Sequence, residues 1–162
     1  MKKRSIVLSV GMLALLSASA WGAVGTHKTD AAVERGRYIV RTSGCNDCHT
    51  PHYAEQGGDV PEAQWLVGDT LGWRGPWGTT YPANLRLYMQ GLSEREWLKK
   101  AHTLSTRPPM PWFNVRAMSD RDLRALYRYV RHLGAAGTPA PAYVPPEGNP
   151  SQPYVQFPAS PK

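Results

Sequence analysis

The sequence predicts a small all-α domain with long Gly/Pro/Trp-rich loops and an extended, Pro-rich C-terminal tail. Three observations carry that expectation. Apolar residues recur at helical spacing in three segments, two of them opened by good N-capping residues, Ser93 and Ser119. Residues 53–83 are rich in Gly, Pro and Trp (Trp65, Trp73, Trp77) and show neither a helix nor a strand period. After Gly134, a run of prolines from Pro139 through Pro145, Pro146 and Pro153 to Pro161 excludes regular helix and central strand. A chain of 162 residues suits one domain with a modest core.

The chain begins with Lys2, Lys3 and Arg4, then an apolar run from Ile6 to Leu16, then Ala18-Ser19-Ala20. Residues 1–20 therefore read as a signal peptide, and the protein as exported and periplasmic. An uncleaved inner-membrane anchor is the other reading, since the stretch can be extended to about 20 residues. Ser, Gly and Ala dilute its later half and favour cleavage. Residues 21–33 form a polar linker, residues 34–134 the domain, and residues 135–162 the tail.

The first helix is expected from about Ala31 to Thr42, with Val33, Tyr38, Ile39 and Val40 supplying an apolar face. Gly36 costs it ~1 kcal/mol relative to Ala, which suggests a close packing contact. The second begins at Ser93, where Ser93 and Glu96 make a capping box. Its face is Trp97, Leu98 and Ala101, with Leu104 or His102, and Pro108 and Pro109 stop it. The third is capped by Ser119, with Asp120 and Asp122 in its first turn, a stripe of Leu123, Leu126, Tyr127, Val130 and Leu133, and a terminal Gly134. Tyr143, Val144, Tyr154, Val155 and Phe157 give the tail apolar handles for lying along the domain or on a partner.

The formal charge is +7, but residues 1–20 hold three basic residues and no acids, so the mature chain carries 16 cations against 12 anions, or +4. That excess suits docking to an acidic partner. No Lys/Arg stripe marks a nucleic-acid surface, so no nucleic-acid partner is expected.

The chain has two cysteines, Cys45 and Cys48. A disulfide across two intervening residues would close too small a loop to add much stability. Cys45-Asn46-Asp47-Cys48-His49 has the CxxCH spacing of c-type haem attachment. Two thiols so placed can each form a thioether to one vinyl group of a single porphyrin, and the next residue offers an imidazole to the iron. A thioredoxin-like CxxC would need a βαβ setting, and a zinc site a second ligand pair; neither is visible. One haem c, covalent through Cys45 and Cys48, is the expected cofactor.

An iron that only shuttles electrons is held on both faces. The downstream candidates are Met89, Met110, Met118, His52, His102 and His132. Met118 is more simply a hydrophobic staple before Ser119, and His132 a surface residue suited to a helix C-terminus. His52 is too near His49 to reach around the ring, and Met89 reads as core. Met110 stands in Pro108-Pro109-Met110-Pro111, a stiff loop 61 residues after His49 that can hold a thioether at low entropic cost. His49 and Met110 are the expected metal ligands. Trp77, Tyr81, Asn84 and Arg74 are candidate donors to the haem propionates, with ordinary loop packing as the alternative.

These parts, in this order, resemble a class I monohaem cytochrome c over about Glu34 to Gly134. They are Glu34-Arg35-Gly36-Arg37-Tyr38, Cys45 to His49, Met110-Pro111, and the helix from Ser119 to Val130. The resemblance implies that the first and last helices cross, with Gly36 meeting Leu126, Tyr129 or Val130. By analogy it offers the Pro61 carbonyl as partner of the His49 ring. Cys48-His49-Thr50-Pro51 and the segment from Gly75 to Leu85 are similar to cytochrome subunits that accept electrons from dehydrogenases. That implies redox protein partners, a dehydrogenase donor or an oxidase or cytochrome acceptor, and a carrier that is not itself an enzyme. Membrane contact is expected only if the N-terminal segment is retained. The competing reading is a haem enzyme or ligand sensor with an open sixth position, for which His102 is the tempting distal residue.

Overall fold

The computed structural model describes residues 30–158. They run as α1 (Ala31–Thr42), α2 (Cys45–His49), a single 3-10 turn (Glu62–Gln64), β1 (Gly72–Gly75), β2 (Gly78–Thr80), α3 (Leu85–Gln90), α4 (Glu94–His102), α5 (Trp112–Ala117), α6 (Asp120–Leu133) and β3 (Tyr154–Gln156). The signal or anchor segment and residues 21–29 of the linker lie outside the described residues, and the last three linker positions, 31–33, belong to α1. Among these elements no helix is long and apolar enough to cross a membrane.

The crossing of α1 and α6 organises the core. The Asp30 carboxylate caps α1 by accepting from the Ala32 N–H at 2.9 Å, and Val33, Gly36, Ile39 and Val40 turn inward. Ser119 caps α6 by accepting from the Asp122 N–H at 3.2 Å. α6 buries Leu123, Ala125, Leu126, Tyr129 and Val130 and ends at Gly134, whose φ of 73° is open to glycine at little cost. A Cβ placed on Gly36 would lie 2.5 Å from Tyr129 Cβ and 2.7 Å from the Ala125 carbonyl carbon. The two backbones thus touch at Gly36, against Ala125 and Tyr129. Tyr129 is one of the residues expected there; Ala125 takes the place of Leu126 and Val130.

α4 starts on the anticipated capping box, with both halves formed between Ser93 and Glu96. Trp97, Leu98 and Ala101 are buried, and Trp97 Nε1 donates to the Leu123 carbonyl at 2.8 Å, tying α4 to α6. Leu104, not the exposed His102, completes the apolar face against the core. Arg86, buried on α3, donates to the Ala63 carbonyl at 2.7 Å and to the Leu133 and Gly134 carbonyls that end α6. A cation there meets the negative end of the helix dipole and satisfies carbonyls with no partner inside the helix.

A small sheet of order β2-β1-β3 is added to the mostly helical domain. β1 and β2 form an antiparallel hairpin with Trp73 opposite Thr80, and β3 joins β1 in parallel with Val155 opposite Trp73. On the far side of β2, Val144 bridges Thr79 through a pair of backbone hydrogen bonds of 2.7 and 3.0 Å. Part of the loop region is therefore a hairpin, and the tail contributes its edge strand. Prolines do not forbid this: Tyr154–Gln156 is a proline-free interval between Pro153 and Pro158, and an edge position tolerates prolines beside it. Trp65 is one of the anchors anticipated in the loops, buried, with Nε1 donating to the Val60 carbonyl at 2.8 Å.

Candidate functional site

Gly44, at φ 70°, turns the chain from α1 into the single turn of α2. That turn holds Cys45, Cys48 and His49 together. Both cysteines are half-buried free thiols. Burial, with the nearby Asp47 carboxylate adding to it, pushes the Cys45 thiol up to about 11, and the same causes raise Cys48. They are neutral thiols, unlike the low-pKa cysteine of a disulfide-exchange centre.

His49 is buried, and its Nδ1 donates to the Ala83 carbonyl at 2.7 Å. A carbonyl only accepts, so the proton sits on Nδ1 and Nε2 presents its lone pair. Burial lowers the pKa of the ring, against the opposing pull of the Ala83 carbonyl, and keeps it neutral. A neutral imidazole oriented by a backbone acceptor is the form that binds a metal. The partner is Ala83, which corrects the Pro61 analogy: the Pro61 carbonyl accepts instead from the Gln64 N–H at 2.8 Å in the 3-10 turn.

The next loop locks this turn in place. Thr50 Oγ1 donates to Asn46 Oδ1 and accepts from the Leu66 N–H, both at 2.8 Å, and the Gly68 N–H donates to the His49 carbonyl at 2.9 Å. Leu66 is fully buried at φ 60°, a conformation unfavourable for a side chain of its size. Its carbonyl accepts from the first N–H groups of α3, at Leu85 and Arg86. α3 therefore supports the loop that supports the motif.

Met110 is half-buried and packs on the core, and its carbonyl accepts from the Trp112 N–H at 2.9 Å. Thr80 Oγ1 donates to the Pro108 carbonyl at 2.8 Å, joining the Met110 loop to β2. The other ligand candidates have different surroundings. Met89 is buried in the core at 1% exposure, and Met118 packs half-buried on the core beside the cap of α6. His102 Nε2 donates to Asp120 and His52 Nδ1 to Glu55, both on the surface. His132 lines a surface cleft with Arg37, Glu62 and Tyr129 at the α1–α6 seam.

The four propionate candidates gather around the hairpin and its exit. Arg74 donates to the Gly148 and Pro146 carbonyls of the tail at 3.2 and 3.4 Å, its guanidinium 5.7 Å from the Tyr154 ring centre. Trp77 Nε1 donates to the Trp73 carbonyl at 3.3 Å. Asn84 caps α3 by accepting from the Leu87 N–H, and its amide donates to the Ala136 and Thr138 carbonyls. Tyr81 is half-buried just after β2.

Three buried side-chain atoms among the described residues have no hydrogen-bond partner: Asn46 Nδ2, Trp73 Nε1 and Thr79 Oγ1. Buried donors of this kind are costly unless something accepts from them. Asn46 lies inside the motif and the other two on the hairpin. With two thiols and an imidazole presented together, they suit a prosthetic group that offers vinyl carbons, a metal and carboxylate oxygens. No group of three or more His, Cys, Asp and Glu side chains gathers among the described residues, so the zinc reading has no ligand set. Sequence reasoning missed Trp73 and Ala83. Nothing in Gly72-Trp73-Arg74-Gly75-Pro76-Trp77 separates the two indoles until the strand pairing is known.

A family model described as Cytochrome c matches residues 33–134, a span that takes in α1 from Val33 onward, the CxxCH turn, the Met110 loop and all of α6. No curated protein and no solved structure matches the chain.

Proposed function

The chain belongs to the cytochrome c family and is a haem-binding electron carrier of class I, and from that premise we propose that it is an exported carrier whose haem c iron is held between His49 and Met110. The observation that carries the axial assignment is the buried His49 ring, its Nδ1–H fixed 2.7 Å from the Ala83 carbonyl and its Nε2 left as an acceptor. Bound through Cys45 and Cys48, haem c supplies a one-electron ferric/ferrous couple. The remaining work falls to the chain. His49 would offer the iron its Nε2, the tautomer being set by the Ala83 carbonyl. Met110, on a loop stiffened by three prolines, would supply a thioether, a ligand that favours the ferrous state. Trp73 Nε1, buried and without a protein acceptor, is our choice as donor to a propionate. Arg74, Asn84 and Trp77 already donate to backbone carbonyls in the described chain, and with Tyr81 they remain the further candidates.

The partners on this reading are redox proteins, with a dehydrogenase as donor and the carrier either diffusing or held as a subunit. The basic, apolar and small-residue order of the first 20 residues supports export to the periplasm. Stoichiometric co-purification with a dehydrogenase separates a subunit from a free carrier. The open-site alternative gains nothing from His102, an exposed residue tied to Asp120.

The deciding experiment is near-infrared magnetic circular dichroism of the ferric holoprotein, wild type and Met110→Ala. We expect a low-spin His/Met signature that the variant loses. A bis-His signature would move the ligand to a histidine and lower the potential. High-spin, water-ligated iron in the wild type would defeat the carrier reading.

A further inference from the structure

We propose that the Pro-rich tail is a positioning element for the axial-ligand loop, with Tyr143 and Val144 restraining the segment Arg107–Pro111 from which Met110 reaches the haem. The inference rests on Met110 being the sixth ligand and adds what holds it there. Three of the five residues from Arg107 to Pro111 are prolines, so the loop has few N–H groups of its own with which to bond its surroundings. Its C-terminal end runs into α5, whose Trp112 and Asn114 N–H groups donate to the Met110 and Pro111 carbonyls at 2.9 and 3.0 Å. Toward the hairpin, among the described residues, its hydrogen bond is the one Thr80 Oγ1 donates to the Pro108 carbonyl at 2.8 Å. A stiff loop anchored at its α5 end but held to the hairpin by one bond can still swing against the hairpin as a body.

The tail supplies the missing restraint in two ways. The Arg107 guanidinium lies 3.7 Å from the centre of the Tyr143 ring, a close cation–π contact that joins the loop to the tail directly. Tyr143 is itself fixed, its hydroxyl donating to the Trp77 carbonyl at 2.8 Å. Val144 exchanges two backbone hydrogen bonds with Thr79, the residue before the Thr80 that bonds Pro108. Tail and loop therefore grip neighbouring residues of the same short strand. Gly78 makes the approach possible: its φ is 96°, and a Cβ there would lie 2.8 Å from the Tyr143 hydroxyl and would press on the Val144 carbonyl. The tail lies beyond the residues 33–134 that match the family. This grip is thus added to the domain from outside it.

The test uses the full-length ferric holoprotein and cyanide as the probe, because cyanide enters the sixth position only when the thioether lets go. Readouts are the red charge-transfer band of thioether-ligated ferric iron, the pH at which that band is lost on alkaline titration, and the cyanide association rate. In Tyr143→Ala the cyanide rate should rise about threefold, the size expected for an exposed cation–π contact, and the band should be lost at lower pH. Tyr143→Phe keeps the ring over Arg107 but loses the hydroxyl's bond to the Trp77 carbonyl, and should restore both values only in part. Arg107→Gln, a change at an exposed side chain, should reproduce the alanine effect and add nothing to it in the double variant, which keeps the test decisive if Tyr143→Ala fails to fold. Wild-type rates and wild-type alkaline behaviour in both Tyr143→Ala and Arg107→Gln would overturn the positioning role. A band absent from the wild type, or retained in Met110→Ala, would overturn the ligand assignment and with it this inference.

Discussion

Replacing Gly36 with alanine sets helix propensity against packing, and the structure says packing wins. Alanine at a helix interior position is favoured over glycine by about 1 kcal/mol. The new methyl carbon, however, would sit 2.5 Å from Tyr129 Cβ and 2.7 Å from the Ala125 carbonyl carbon, where ordinary contact begins near 3.4 Å. The obstacles are a Cβ and a backbone carbonyl, neither of which can rotate away. α1 and α6 must therefore separate by on the order of 1 Å, and the loosened seam includes the fully buried Val40 and Val130. Overpacking of this kind costs roughly 1–3 kcal/mol and can exceed that when backbone must shift. Net of the propensity gain, the expected loss is about 2 kcal/mol. For a domain of this size that is a fall of roughly 10 °C in Tm. The assay is guanidinium and thermal unfolding of the oxidised holoprotein, followed in parallel by far-ultraviolet circular dichroism and the haem absorbance. An unchanged or higher midpoint with an unchanged denaturant slope would refute the reasoning, because it would mean the helices are not held at backbone contact.

Other substitutions test other joints. Arg86→Met leaves the Ala63, Leu133 and Gly134 carbonyls without their charged donor and should destabilise by about 3 kcal/mol or more in equilibrium unfolding. Arg86→Lys should rescue only part of this, since an ammonium lacks the planar fork that reaches three acceptors. Glu62 is pushed up by burial, but side-chain hydrogen bonds from Arg37 and Tyr129 and the Arg37 charge outweigh that, leaving it below its ordinary 4.5. A depressed carboxylate contributes stability above the unfolded value that is lost as pH falls through the folded one. Wild-type midpoints should therefore drop on acidification below about 4.5, and Glu62→Gln should be less stable at neutral pH with a shallower drop in that window.

How far the fold could be read in advance depended on how local its causes are. α1, α4 and α6 were legible because each carries its own instructions: a periodic apolar face, and a capping box or hydroxyl cap at Ser93 and Ser119. The CxxCH turn was legible because thioether chemistry demands that spacing. The hairpin was not. Its strands span four and three residues, begin or end in glycine, and are paired by tail residues 65 positions away at Thr79–Val144 and 82 away at Trp73–Val155. No local period encodes a partnership of that range. α3 could have been found, since Asn84 before Leu85-Arg86-Leu87 is a good cap; the same Asn84 attracted a propionate reading instead. The importance of Arg86 had no local signal at all, because its partners come from the 3-10 turn and the end of α6. Among the site residues, the tie from His49 to Ala83 belongs to the same class of long-range facts.

The tail also decides how this protein can meet others. Val144 occupies the outer side of β2 at Thr79 and β3 occupies the outer side of β1, so the hairpin is flanked on both sides by its own chain. Open strand edges are adhesive, offering unpaired N–H and C=O groups to any extended peptide. Here the hairpin's own edges have been covered internally, and on one side the edge is passed to the short β3. A partner that added a strand to the hairpin itself would first have to peel the tail away, and the edge left on that side of the sheet is the three-residue β3. A three-residue edge offers too short a ladder to hold a partner by backbone pairing alone, so the tail has exchanged the hairpin's edge for a blunter one.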